Sequence, residues 1–138
     1  MKKRALLVVS VLLLQYVVYA QTIRDYSTMK IGRVEADGTV RNGSNMSVGR
    51  IESDGTVRDK NNMLVGKIER NGTIRDKNNM TMGRIESDGT VRDRNNMMMG
   101  RIGADGTVRN RDNMTIGYAK GVPTAYAAVF FFFGMFGK

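Results

Sequence analysis

The sequence contains no cysteine, no histidine and no tryptophan, and it has a single proline. It therefore lacks the thiol nucleophile, the imidazole base and the usual ligands of zinc and other transition metals. A length of 138 residues suggests one domain. The formal net charge of +9 is spread along the chain instead of forming a basic cluster, which argues against a nucleic-acid-binding stripe.

The first 20 residues have the pattern of a secretory signal peptide. Lys2, Lys3 and Arg4 form a basic start, an apolar run follows, and Ala20 supplies the small residue before a cleavage site. We therefore predict an exported protein whose mature chain begins at Gln21. An uncleaved membrane anchor is the alternative, although the apolar run is shorter than the ~20 residues of a membrane span.

The region 21–120 is a tandem repeat with a period of 17 residues. One copy reads Met82-Gly-Arg-Ile-Glu-Ser-Asp-Gly-Thr-Val-Arg-Asp-Arg-Asn-Asn-Met-Met98, and five complete copies run from Ile31 to Thr115. Each copy holds an Asp-Gly or Asn-Gly turn between two short β-type segments, which predicts β-hairpins. A 17-residue hairpin buries too little apolar surface to fold alone, so the copies must assemble on one another.

Incomplete copies stand at both ends of the repeat. Residues 22–29 match the second half of a unit, and residues 116–118 match the beginning of one. Two complementary halves predict a closed ring in which the first strand pairs with the last and no sheet edge stays open. An open β-solenoid is the alternative, and five or six blades are both compatible with this count.

The hairpin turn sets the register of each unit. A three-residue loop Ser87-Asp88-Gly89 pairs Ile85 with Val91 and leaves the charged residues on the opposite face, whereas a two-residue loop splits the apolar pair. The Asn-rich turns lack glycine in most copies, and asparagine can take the positive φ required there. The strand glycine at position 83 predicts a bulge, which would bring Met80 and Met82 onto the face of Ile85. We therefore expect layers of Met, Ile and Val to build the core.

The predicted signal peptide precedes the repeats, and a Phe-rich tail follows them. In this arrangement the chain resembles the β-flower repeat proteins of Bacteroides-type bacteria, through the repeated motif Gly-Arg-Ile-Glu-x-Asp-Gly-Thr-Val-Arg-Asp-x-Asn-Asn-Met. The likeness covers about residues 22–136. It implies a five-fold β-toroid, and it carries over no activity and no functional residue.

The tail, residues 121–138, contains all the phenylalanines of the chain, at positions 130, 131, 132, 133 and 136. Pro123 suits the beginning of a helix. Twelve apolar residues span roughly 18 Å as a helix, too little for a bilayer core of ~30 Å. The tail is then either a plug or cover for the ring, or an exposed anchor for a membrane surface or partner protein.

No catalytic residue, cofactor or metal site is expected from the repeats. The carboxylates recur in nearly every unit, whereas an active site needs one distinct environment. A complete calcium-loop motif is also missing, and the Asp-Gly and Asp-x-Asn-Asn segments read first as turns.

The recurring arginines of the second strand form a candidate surface lattice: Arg41, Arg58, Arg75, Arg92 and Arg109. Two hypotheses follow. The protein is an exported structural scaffold without catalytic activity, or it is a multivalent binding module that recognises glycans or cell-envelope polymers through this Arg, Glu and Asn face. The first is preferred, because neighbouring carboxylates can pair with the arginines.

Overall fold

The computed structural model describes residues 21–137, so the predicted signal peptide lies outside the described residues. Twelve short strands are followed by one helix. The strands are β1 (Gln21–Asp25), β2 (Lys30–Val34), β3 (Thr39–Asn42), β4 (Ser47–Ile51), β5 (Thr56–Asp59), β6 (Leu64–Ile68), β7 (Thr73–Asp76), β8 (Thr81–Ile85), β9 (Thr90–Asp93), β10 (Met98–Ile102), β11 (Thr107–Asn110) and β12 (Thr115–Tyr118), and the helix is α1 (Thr124–Phe131).

The strands form one closed antiparallel ring. Each strand pairs with its sequence neighbours, and β1 also pairs with β12, where Arg24 lies opposite Tyr118 and Asp25 opposite Gly117. The predicted closure is confirmed and the open solenoid is wrong. The two half-units join as a sixth pair beside five covalent hairpins, so the ring has six sectors where the resemblance implied five.

The Asp-Gly turns have the predicted three-residue loop. Ile85 pairs with Val91, the Glu86 N–H donates to the Thr90 carbonyl at 2.8 Å, and Gly89 has φ +92°. A left-handed residue here is cheap only for glycine. The same pairing recurs in all five hairpins and places the aliphatic pair on the inner face.

The Asn-rich turns at the other end of the ring use asparagine in the left-handed conformation, as predicted. Asn79 has φ +66°, and its equivalents in the other units have nearly the same value. The Asp76 carboxylate accepts the N–H groups of Asn78 at 2.8 Å and Met80 at 3.0 Å. These local hydrogen bonds close the turn without glycine.

A bulge interrupts each of these pairings. Along β7 and β8, Ile74 lies opposite Gly83 and Arg75 opposite Thr81, which leaves Met82 as the extra residue. Gly83 and Ile85 then share the inner face, where Ile85 is buried. The bulge is therefore confirmed, and isoleucine and valine form the repeat's part of the core.

The expectation of methionine layers in the core is wrong for the methionines that end the turns. Their side chains are between 60% and 66% exposed: Met29, Met46, Met63, Met80, Met97 and Met114. Met80 is the last residue of its turn, where its carbonyl accepts the Asp76 N–H at 2.9 Å and its side chain lies in solvent. The bulge methionines Met82 and Met99 are half-buried against the core.

The tail supplies the rest of the core. After β12 the chain turns through Gly121, and the Pro123 carbonyl accepts N–H groups from the first turn of α1. Ala127, Ala128 and Val129 are fully buried, and Met135 is 6% exposed. The predicted short apolar helix is confirmed.

Candidate functional site

Six glycines line the inside of the ring, one in each sector, and each is covered by one side chain of the tail. A Cβ atom placed on any of them would lie 2.6 to 2.9 Å from that side chain. The pairs are Gly32 with Phe130, Gly49 with Phe136, Gly66 with Met135, Gly83 with Phe133, Gly100 with Phe132, and Gly117 with Phe131.

The order of these pairs shows how the tail fills the ring. From Phe131 to Phe136 the tail passes the glycines in reverse chain order, from Gly117 back to Gly49, and Gly134 is the one tail residue in this run that covers no strand glycine. Gly134 has φ +60°, which lets the backbone turn inside the ring. The absence of a side chain on each glycine gives an aromatic ring or thioether room against the strand. The five phenylalanines remain half-buried.

The outer face carries ion pairs between the recurring Arg and Glu residues. Glu86 contacts Arg84 at 3.1 Å on its own strand and Arg92 at 3.1 Å on the next. Arg92 also donates to the Asn96 carbonyl at 3.1 Å in the Asn-rich turn. One carboxylate thus holds two arginines, and one arginine ties the hairpin to its turn.

Four of the five predicted lattice arginines have such a carboxylate partner. Glu35 contacts Arg33 and Arg41, Glu52 contacts Arg50 and Arg58, Glu69 contacts Arg75, and Glu86 contacts Arg84 and Arg92. In the third unit Lys67 stands where the others have an arginine. Most arginines of the lattice are therefore paired with carboxylates of their own units.

The fifth unit breaks this pattern because Gly103 stands where the other units have glutamate. Within residues 21–137, Arg101 and Arg109 have no carboxylate within ion-pair distance, and both side chains are exposed. Arg109 instead donates to the Thr115 hydroxyl at 3.0 Å. The missing glutamate is visible in the sequence, but only the pairing of the neighbouring strands shows which arginines it leaves without a carboxylate.

Tyr118 and Arg24 continue the outer face of the fifth unit across the pairing of β12 with β1, which we call the seam of the ring. Tyr118 lies opposite Thr107 on β11 and opposite Arg24 on β1, and it alternates with the inward-facing Gly117. We call Arg24, Arg101, Arg109 and Tyr118 the seam patch. It combines three cations with one aromatic side chain on the outer face.

Each Asp-Gly turn contains a carboxylate whose pKa is lowered. The Thr90 N–H, at 3.0 Å, and then the Thr90 hydroxyl hold the pKa of Asp88 below its ordinary value. The same causes act on Asp37, Asp54 and Asp105. In the third unit the amide oxygen of Asn71 accepts the Thr73 N–H at 3.0 Å, so this hydrogen bond does not require a charge.

Each end of the ring has a cavity. At the Asp-Gly end a cavity of about 800 Å³ lies between the turns and the beginning of α1, with Arg70, Asp88 and Arg101 in its wall. At the Asn-rich end a cavity of about 320 Å³ is lined by Ile31, Val48 and the rings of Phe130, Phe131 and Phe136.

The described residues hold neither a metal-binding cluster nor a helix that could span a membrane. Residues 21–137 contain no group of three or more acidic, histidine or cysteine side chains arranged to hold a metal ion. No helix in the same range is both long enough and apolar enough to cross a membrane.

Comparison with known proteins identifies the family. Residues 20–135 match the family model described as 5-fold beta-flower protein, whereas no curated protein and no solved structure matches the chain. The match spans the repeats, the seam and nearly all of the tail. The chain therefore belongs to the 5-fold beta-flower protein family.

Proposed function

We propose that the protein is an exported structural scaffold without catalytic activity. The family is one of structural repeat proteins, and the tail carries the proposal further: it covers all six inner glycines of the ring. Ring-shaped folds commonly place ligands near the central axis. Here that space is filled by side chains of the tail, and most of the recurring arginines of the outer face form ion pairs with glutamates of the same chain.

The basic start, apolar run and Val18-Tyr19-Ala20 site support export. Purification of the native protein from its source cell, with mass measurement of its N-terminus, tests this part. The proposal expects Gln21 as the first residue and recovery outside the cytoplasm. A cytoplasmic chain that retains residues 1–20 would contradict it.

Complementation of a deletion strain tests the scaffold role. A scaffold acts through its folded shape, so rescue should follow the stability of each variant and not any single exposed side chain. Phe133→Ala should lose rescue together with stability, and the matched exposed variant Ser87→Ala should keep both, since Ser87 is exposed in an Asp-Gly turn. Loss of rescue by an exposed substitution that leaves the melting temperature unchanged would show a specific site instead.

A second candidate function, binding of an acidic glycan, is favoured by the seam patch. Unpaired arginines can form two parallel hydrogen bonds to a carboxylate or sulfate, and an aromatic ring can stack on a sugar face. Because glutamate pairs with the lattice arginine in four sectors, this binding would occur once per ring and not as a multivalent lattice.

The residue found in the other units suggests the control variant for this candidate. Gly103→Glu introduces the carboxylate that the other units use, and Gly103 is not in the left-handed conformation. Titration calorimetry with a uronic-acid oligosaccharide should show binding to the native ring and loss in Gly103→Glu. Equal binding by both, or binding by neither, would reject the seam patch as a glycan site.

A further inference from the structure

The exposed apolar side chains of the ring are concentrated at one end. Within residues 21–137, the large hydrophobic side chains that are exposed all lie in or beside the Asn-rich turns. Six of them are the methionines at the last position of the turns, and we call them the methionine crown: Met29, Met46, Met63, Met80, Met97 and Met114. Tyr26, Leu64 and Met98 stand beside them.

The fold does not use the side chains of the methionine crown. The N–H of Met63 donates to the Asp59 carboxylate at 3.0 Å, and the carbonyl of Met63 accepts the Asp59 N–H at 2.9 Å. Met63 therefore contributes only its main-chain atoms to the hydrogen bonds of the turn. The next position shows what a free surface position tolerates within this chain, since it varies widely: Lys30, Ser47, Leu64, Thr81, Met98 and Thr115. Six methionines at a position without a structural demand point to use of the apolar side chain itself.

Cations accompany the methionine crown at the tips of the turns. Lys60, Lys77, Arg94 and Arg111 are exposed, and Asp112 is the one carboxylate at a tip within the described residues. The other turn carboxylates are half-buried at the base, where they accept N–H groups, as Asp59 does. A flat surface that approaches this end therefore meets apolar side chains interspersed with long cations.

The apolar surface continues inward from the methionine crown. Ile31 and Val48, which follow crown residues by two positions, line the mouth together with the rings of Phe130 and Phe136. A patch of this size on an otherwise polar protein marks an interaction site.

We infer that the methionine crown docks on the surface of an anionic phospholipid bilayer. Flexible thioether side chains can enter the boundary between headgroups and acyl chains, while lysine and arginine reach the lipid phosphates. Charge decides against a second copy of the chain. Two crowns face to face would bring the tip cations of one ring against those of the other, and like charges in contact disfavour association.

Two single-cysteine probes test this in the full-length chain, which has no native cysteine. A polarity-sensitive dye is attached at Met63→Cys in the crown or at Ser87→Cys at the opposite end. With phosphatidylglycerol vesicles the Met63 probe should shift to the blue, whereas with phosphatidylcholine it should not. The Ser87 probe should stay unchanged, which separates docking by the crown from any binding through residues 1–20.

A further variant of the Met63→Cys chain replaces the four tip cations by glutamine: Lys60, Lys77, Arg94 and Arg111. Its affinity for phosphatidylglycerol vesicles, measured by the blue shift, should fall by about tenfold or more. The tips are exposed, so the ring should keep its melting temperature. Equal shifts at both probes, equal shifts with both lipids, or an unchanged Met63 probe would overturn the inference. A blue shift that rises with protein concentration without vesicles would assign the crown to a second copy and overturn it as well.

Discussion

The ring of Phe133 lies against the backbone of Gly83, and a Cβ atom on this glycine would come within 2.8 Å of Phe133 Cε1. The contact joins the tail to a strand near the middle of the repeat. It has a counterpart in every sector, so the short helix and the residues after it act as a common centre for the six sectors of the ring.

Gly83→Ala should destabilise the ring because the added methyl group overlaps the aromatic ring and the neighbouring backbone. Overpacking of a closely packed core costs about 1–3 kcal/mol, and urea denaturation measures it. In the double variant Gly83→Ala/Phe133→Leu the smaller side chain should return part of the loss. Full additivity of the two substitutions would show that they do not share this contact.

Phe133→Ala and Met80→Ala should differ sharply in their effects on stability. Phe133 packs against the core, so its loss should lower the free energy of unfolding by about 2–3 kcal/mol, less than for a fully buried ring. Met80 is 60% exposed, and its truncation should change stability by less than about 0.5 kcal/mol. Thermal melts of the two variants decide between a phenylalanine-filled interior and a methionine-filled one.

The left-handed turn position provides a local test. Asn79 has φ +66°, so Asn79→Ala should cost about 1 kcal/mol, whereas Asn79→Gly should be neutral or slightly stabilising. Asn78→Ala in the same turn is the matched control and should have little effect. Equal losses at Asn78 and Asn79 would contradict the assignment of the turn strain to one residue.

Stability should fall in acid because the folded state lowers the pKa of four turn carboxylates. Hydrogen bonds from Thr39, Thr56, Thr90 and Thr107 hold the pKa of Asp37, Asp54, Asp88 and Asp105 below the ordinary 3.8. The stability from a depressed carboxyl pKa is present above the unfolded value and is lost as pH falls through the folded one. The urea midpoint should therefore decrease below about pH 4.

A fourfold Asp→Asn variant at these positions is the control, since Asn71 already makes the same hydrogen bond in the third unit. Its urea midpoint should depend less on pH in the acid range. An identical acid response in both chains would place the sensitivity at other carboxylates, with Glu86 and its counterparts in the ion pairs as the next to replace.

Much of the fold could be predicted from the sequence because the decisive signals are local. Gly89 and Asn79 fix two turn conformations by their own backbone preferences, and the 17-residue period repeats those turns around the ring. The incomplete units predicted closure, since two unpaired half-hairpins satisfy each other's hydrogen bonds.

The features that could not be predicted depend on the path of the tail and on how the two ends of the repeat meet. The predicted bulge puts Met80 on the inner side, but only the assembled structure shows that its side chain is 60% exposed. The match of Phe133 to Gly83 requires the path of the tail, which has no repeat of its own. The seam patch follows from Gly103 together with the pairing of Arg24 and Tyr118, a contact between the two ends of the repeat.

The tail fills the interior of the ring, and truncation of the chain after Lys120 removes this part of the core. Chemical denaturation of this variant, beside a control that lacks only Gly137 and Lys138, should show loss of the cooperative transition, because all six inner glycines lose their covering side chains. The control should unfold like the complete chain. A truncated chain that unfolds cooperatively, as a monomer with an unchanged midpoint, would contradict the account.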